Sequence, residues 1–191
     1  MSSTSSYPHP PPNTLRPITR LITTHSPTGT AIFHTTDSGG PRKSVFHDLA
    51  HYNLIYTSTV SPADFTNDAD VALVDTLNPQ SLVMPGGSVC RFVDIAPRTD
   101  SPMHRTQSLD YGIVIEGEVE IALDGGEKKI MKRGDVCVQR GTFHAWSNKT
   151  EEWARLCFVL LEAKPVVVDG EEMWESLGDL AGDHAPSRGK M

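Results

Sequence analysis

Cysteine is scarce in this chain, with Cys90, Cys137 and Cys157 the only three among 191 residues. The number is odd, all three lie in apolar strand-like runs, and no pair has Cys-x-x-Cys spacing. These features argue against a disulfide framework or a cysteine-based metal knuckle, and buried reduced thiols are expected. Concentrated positive charge is also missing. Lys and Arg total 17 against 24 acidic residues, the formal net charge is −7, and no basic run exceeds two residues. A sequence-independent grip on nucleic-acid phosphates is therefore not expected. No apolar run approaches the roughly 20 residues needed to cross a bilayer, and the Ser-, Thr- and Pro-rich start lacks the apolar core of a signal peptide. A cytoplasmic protein bound to neither membrane nor nucleic acid is the expectation.

What the chain does contain is a succession of short β-prone runs, and its length suits one domain with a sizeable core. Four prolines, Pro8, Pro10, Pro11 and Pro12, rule out helix or central strand near the start, so residues 1–15 are expected to form a flexible arm. Residues 16–80 read as strands flanking a barrel, through Arg20 to Thr24, Thr30 to Thr35 and Asn53 to Thr57. Gly- and Pro-rich breaks such as Ser38-Gly39-Gly40-Pro41 separate the runs, as in an antiparallel sandwich or barrel. Residues 81–165 read as the barrel core. Val119, Ile121 and Leu123 alternate with Glu118 and Glu120, so one face is buried and the other wet. Asp124-Gly125 suits the positive-φ positions of a hairpin, and Leu156 to Leu161 is apolar on both faces. Residues 166–191 are expected to hold a short helix over Glu171 to Leu177 and a loose tail from Ala181.

The chemistry-bearing residues cluster in two places. The first reads His104-Arg105-Thr106-Gln107-Ser108-Leu109-Asp110, with Gly117 closing it; the second runs from Gly134 through Gln139-Arg140-Gly141 to His144-Ala145-Trp146 and Asn148. This pair of motifs resembles the signature of the cupin family, whose first motif carries two histidines and a glutamate and whose second carries one histidine. Thr106 stands where a second histidine is usual, Asp110 where glutamate is usual, and Gln139 where proline is usual. The resemblance implies an all-β, single-domain jelly-roll barrel, a double-stranded β-helix, with His104, Thr106, Asp110 and His144 facing its interior. The segment from Ser101 to Leu161 is similar to small cupins of bacteria and of fungal secondary-metabolite gene clusters. That likeness implies an enzyme, a metal-dependent oxidoreductase or oxygenase, acting on a small aromatic or polyketide-like oxygenated metabolite.

Strand alternation puts His104 and Thr106 on one face and Arg105 on the other. His104, Asp110 and His144 would make a two-histidine, one-carboxylate set for a divalent Fe, Mn, Ni or Zn ion, although threonine is a poor ligand and aspartate is one methylene shorter than glutamate. The same residues read equally well without a metal, as a His144–Asp110 acid–base pair in a lyase or isomerase, or as the lining of a non-catalytic binding pocket. Thr106, Gln139 and Trp146 are the expected substrate-pocket residues, Trp146 as a flat wall. Arg140 is expected to be solvated or carboxylate-paired, and Tyr111 to face away from the cavity. His34, His47 and His51 are expected to be structural or exposed, while His9, His25 and His184 fall in arm, loop and tail. Open sheet edges and the β-prone stretch from Arg20 to Thr35 lead to the expectation of a homodimer.

Overall fold

The computed structural model describes residues 9–76 and 81–187. In chain order its strands are β1 (Arg20–His25), β2 (Ala31–Asp37), β3 (Arg42–Val45), β4 (Ala50–Ser58), β5 (Ser88–Ile95), β6 (Thr99–Asp100), β7 (Ser108–Glu116), β8 (Glu118–Leu123), β9 (Lys128–Lys132), β10 (Val136–Arg140), β11 (His144–Asn148), β12 (Ala154–Glu162), β13 (Val166–Val168) and β14 (Glu171–Met173). One α-helix, α1 (Ala69–Thr76), and 3-10 turns at Thr66–Asp68 and Gly178–Gly182 complete the described elements.

Two sheets make the body. The larger runs β10-β7-β12-β5-β4-β3 and the smaller β6-β11-β8-β9, with every neighbouring pair antiparallel. Alternation sends one face of each sheet inward. Val93, Ile95, Val114 and Leu156 of the larger sheet therefore meet Val119, Ile121, Met131 and Trp146 of the smaller in one core cluster. Burying each large aliphatic chain contributes about 1.5–3 kcal/mol. The result is the expected all-β jelly roll. β12 lies between β7 and β5, so both of its edges are paired. Gly112 of β7 sits where a Cβ would come within 2.9 Å of the Phe158 ring and 3.2 Å of Trp146. Its missing side chain is what lets the two aromatic rings close over the strand.

Several local expectations are corrected. β3 and β4, expected to flank the barrel, belong to the larger sheet, because β4 pairs with β5 along almost its whole length. The described part of the expected flexible arm is anchored: Trp153 Nε1 donates to the Pro11 carbonyl at 3.0 Å, and Asn13 Nδ2 donates to Asp94 at 2.8 Å. Residues 1–8 lie outside the described part. In the β8–β9 hairpin the positive φ falls on Gly126, at 87°, rather than on Asp124-Gly125. Glu171–Met173 is a strand, not the start of a helix. Asp169 and Gly170 have φ of 49° and 84°, the two successive positive values of a two-residue hairpin turn, and they fold β14 back onto β13. The C-terminal helical turn lies later, at Gly178–Gly182. The tail is not loose as far as Ser187: Leu180 and His184 are buried, and Ser187 bonds Glu175 through its backbone and its hydroxyl. All three cysteines are free and half-buried.

Candidate active site

His104 and His144 meet through the backbone. Each amide donates to the other's carbonyl at 2.9 Å, the arrangement of a directly opposed antiparallel pair. The two side chains thus share a face, with ring centroids 4.3 Å apart and planes tilted by 53°. The Nδ1 atoms are held by the carbonyls of Pro102 and Thr142, both at 2.9 Å. A carbonyl only accepts, so each Nδ1 carries the proton and each Nε2 is left as a lone-pair acceptor. Burial lowers the proton affinity of both rings. For His144, burial and the neighbouring His104 bring the pKa down to about 3. Both imidazoles are therefore neutral at physiological pH.

Asp110 lines the same cavity from β7. Its Oδ2 accepts the Thr106 hydroxyl at 3.0 Å, while Oδ1 is buried without a hydrogen-bond partner. Burial raises its pKa to about 6, against the opposing pull of the nearby Ser108 and Thr106 hydroxyls and of the Arg91 charge. The expected His144–Asp110 pair is not formed, because Thr106 takes the carboxylate and Thr142 takes the Nδ1 proton. Nor do His104, Asp110 and His144 assemble as a metal-binding triad. Among the described residues no group of three His, Cys, Asp or Glu side chains could hold an ion. The two imidazoles offer free Nε2 donors of the right kind. The short Asp110 side chain, turned to Thr106, does not complete the set.

The cavity has a volume of about 70 Å³. Trp146 and Thr106 line it as expected; Trp146 presents its edge to His144 at 6.1 Å and to Phe158 at 5.4 Å. Gln139 is buried but is not among the lining residues. It lies opposite Asp110 in the β10–β7 register, and its Oε1 accepts the Thr142 hydroxyl at 3.3 Å. Tyr111 and Arg140 are exposed, and His51 stacks on Trp153. His184 was expected in a loose tail; it is buried and stacked on Tyr52, 5.2 Å between centroids. Tyr52 is itself a lining residue whose hydroxyl burial pushes up to about 12. Sequence reasoning also missed Arg91, Phe46 and Leu180, which line the cavity from β5, the turn before β4 and the tail.

Two antiparallel sheets with paired imidazoles and a carboxylate between them define an all-β jelly-roll protein. Residues 91–160 match the family model described as a cupin domain. Over 160 residues the chain is 44% identical to Phomopsin biosynthesis cluster protein D of Diaporthe leptostromiformis, spanning 82% of this chain and 85% of that protein. It is 42% identical over 164 residues to the Cupin-domain-containing oxidoreductase virC of Hypocrea virens, spanning 84% of each. A solved Cupin 2 conserved barrel domain protein from Salinispora arenicola matches 40% of this chain and 64% of its own, at 25% identity and a TM-score of 0.37. The chain belongs to the cupin family. No described helix is long and apolar enough to cross a membrane.

Proposed function

We propose that this chain is an enzyme of secondary metabolism that carries out an oxidoreduction on a small oxygenated metabolite. Support for the class comes from the cluster and oxidoreductase names of relatives that align over most of both chains. The observation that carries the reading is the pair of neutral imidazoles, each with an uncommitted Nε2, facing the same cavity as a buried carboxylate. Such a group of residues moves protons. Asp110, titrating at about 6, is the base that takes a proton from a carbon beside a carbonyl, while the neutral imidazoles, made weak bases by burial, accept hydrogen bonds from substrate hydroxyls and relay the proton. The two electrons of an oxidation at that carbon would pass to an external acceptor such as dioxygen.

A second reading, a lyase or isomerase, is favoured by one observation: the proton-transfer set is complete without any further group. The substrate, aromatic or polyketide-like by resemblance, needs movement of the wall to enter. The cavity's volume of about 70 Å³ is less than half of the roughly 150 Å³ that admits a benzene ring. The reading includes a homodimer, supported by the outward apolar side chains of the β1–β2 ribbon: Leu21, Ile32 and Phe33 are 55%, 46% and 65% exposed.

Replacing the gene by its His144→Ala form in the organism that carries it tests the function. The expected result is accumulation of a precursor that differs from the final metabolite in hydrogen or oxygen content. A precursor differing by carbon dioxide or water establishes the lyase reading instead, and an unchanged metabolite profile overturns both.

A further inference from the structure

Arg91 is the charged side chain in this cavity that neither the motifs nor the proposed chemistry uses. It occupies an inward position of β5, in register with Val89, Val93 and Ile95, and is 6% exposed. Its Nη2 donates to the carbonyls of Leu82 at 2.9 Å and Ser81 at 3.3 Å, and its guanidinium carbon lies 5.7 Å from the centre of the Tyr52 ring. Nε is buried with no hydrogen-bond partner, and among the described residues no hydrogen bond uses Nη1. An arginine brings five N–H donors, so those at Nε and Nη1 stay unspent.

The charge is met through space only: Asp110 shares the cavity and attracts the Arg91 guanidinium, but its carboxylate bonds Thr106, and among the described residues no ion pair closes on Arg91. A buried cation held without a direct carboxylate contact is costly to retain. The other buried arginine of the larger sheet shows the contrast. Arg155 is met by Asp94 through two hydrogen bonds, at 2.6 and 2.7 Å.

We propose that Arg91 is the substrate-anchoring residue of the cavity and that the substrate class is a small organic acid, bound by its carboxylate at the free Nε and Nη1 donors. Guanidinium and carboxylate match in charge and in planar donor–acceptor geometry. The acid's remaining atoms then lie within the space bounded by His104, His144 and Asp110. This assignment rests on the proposed function for the chemistry that follows, but binding itself does not depend on it. The cavity's volume suits a carboxylate head with a few carbons.

The test compares propionate with its uncharged isostere propionamide on the full chain, at ionic strength held constant with sodium chloride. Affinity is read by nuclear magnetic resonance titration, including the Arg91 Nε–H signal. Wild type is expected to bind propionate at least tenfold tighter than propionamide, with the Arg91 Nε–H shifting on binding. Arg91→Met is expected to remove that preference while remaining folded. Arg91→Lys is expected to recover part of it. Equal affinity of wild type for the two ligands overturns the proposal. So does retention of the preference in a folded Arg91→Met, or a bound propionate that leaves the Nε–H signal unmoved; this last reading needs no variant. His144→Ala separates the two claims, since it abolishes turnover under the proposed function yet keeps propionate binding if Arg91 is the anchor.

Discussion

The backbones of His104 and His144 exchange both of their hydrogen bonds at 2.9 Å, which sets the two imidazoles side by side although forty residues separate them in the chain. Both rings are fixed by the backbone bridge and by the short loop that precedes each histidine. The bridge between the segments holds the Cα atoms, and the Pro102 and Thr142 carbonyls hold the rings. A site set this way loses chemistry before it loses shape.

Proton affinities in the cavity should be visible directly. His144 is expected to stay neutral from pH 8 down to about 5, by ring-nitrogen chemical shifts, and His104 to titrate below the usual histidine range, because burial depresses both. Their contribution to stability is present above the unfolded value near 6.5 and declines as pH falls below it.

Asp110 has the opposite sign. Its folded pKa of about 6 lies above the unfolded value near 3.9, so its contribution is full below about 3.9 and lost as pH rises through 6. Asp110→Asn should therefore gain stability relative to wild type between pH 4 and 6, by about 2–3 kcal/mol, and hold a constant difference above about 7. Thermal melting across that range checks it, and a difference independent of pH contradicts the raised pKa.

Thr106 shares the inward face with His104 and lies against Asp110. Thr106→His places a third imidazole there, and zinc affinity measured by competition with a chromophoric chelator should rise at least tenfold over wild type.

The Asp94–Arg155 pair is buried on both sides and also holds the N-terminal segment, since Arg155 Nη1 donates to the Arg16 carbonyl at 2.6 Å. Removing one partner leaves a buried charge. Asp94→Asn should cost about 3–5 kcal/mol, measured by urea unfolding, and should loosen residues 9–16 to proteolysis.

Assembly is tested by mass. Light scattering at micromolar concentration should return twice 20.9 kDa, and Phe33→Asp on the exposed face of β2 should return the monomer. A wild-type monomer removes the dimer from the reading.

The strand runs and the motif spacing were legible because period-two alternation and turn residues are local signals, and β1, β2, β4, β8 and β12 fall where those signals lie. His104 and His144 were legible through their spacing to glycines. The terminal hairpin was misread because Met173, Trp174 and Leu177 suggest a helical face, while the stronger signal, Val166-Val167-Val168 followed by Asp169-Gly170, went unused. Arg91 was hidden by its neighbours: Val-x-Arg-x-Val-x-Ile places a cation in the inward register, and reading the run as simply apolar passes over it. The pairing of Asp110 with Thr106 rather than His144 depends on contacts across strands that no local pattern encodes.

The buried tail described above has a kinetic consequence. Leu180 lines the cavity and His184 packs on Tyr52, so the stretch around the 3-10 turn at Gly178–Gly182 serves as one wall of the chamber. If a larger ligand enters by displacing that wall, its observed affinity is reduced by the fraction of time the wall stands open. Exchange would be governed by the opening rate of a short segment rather than by diffusion. Once the segment recloses over a bound molecule, water is kept from the imidazoles while protons are in transit.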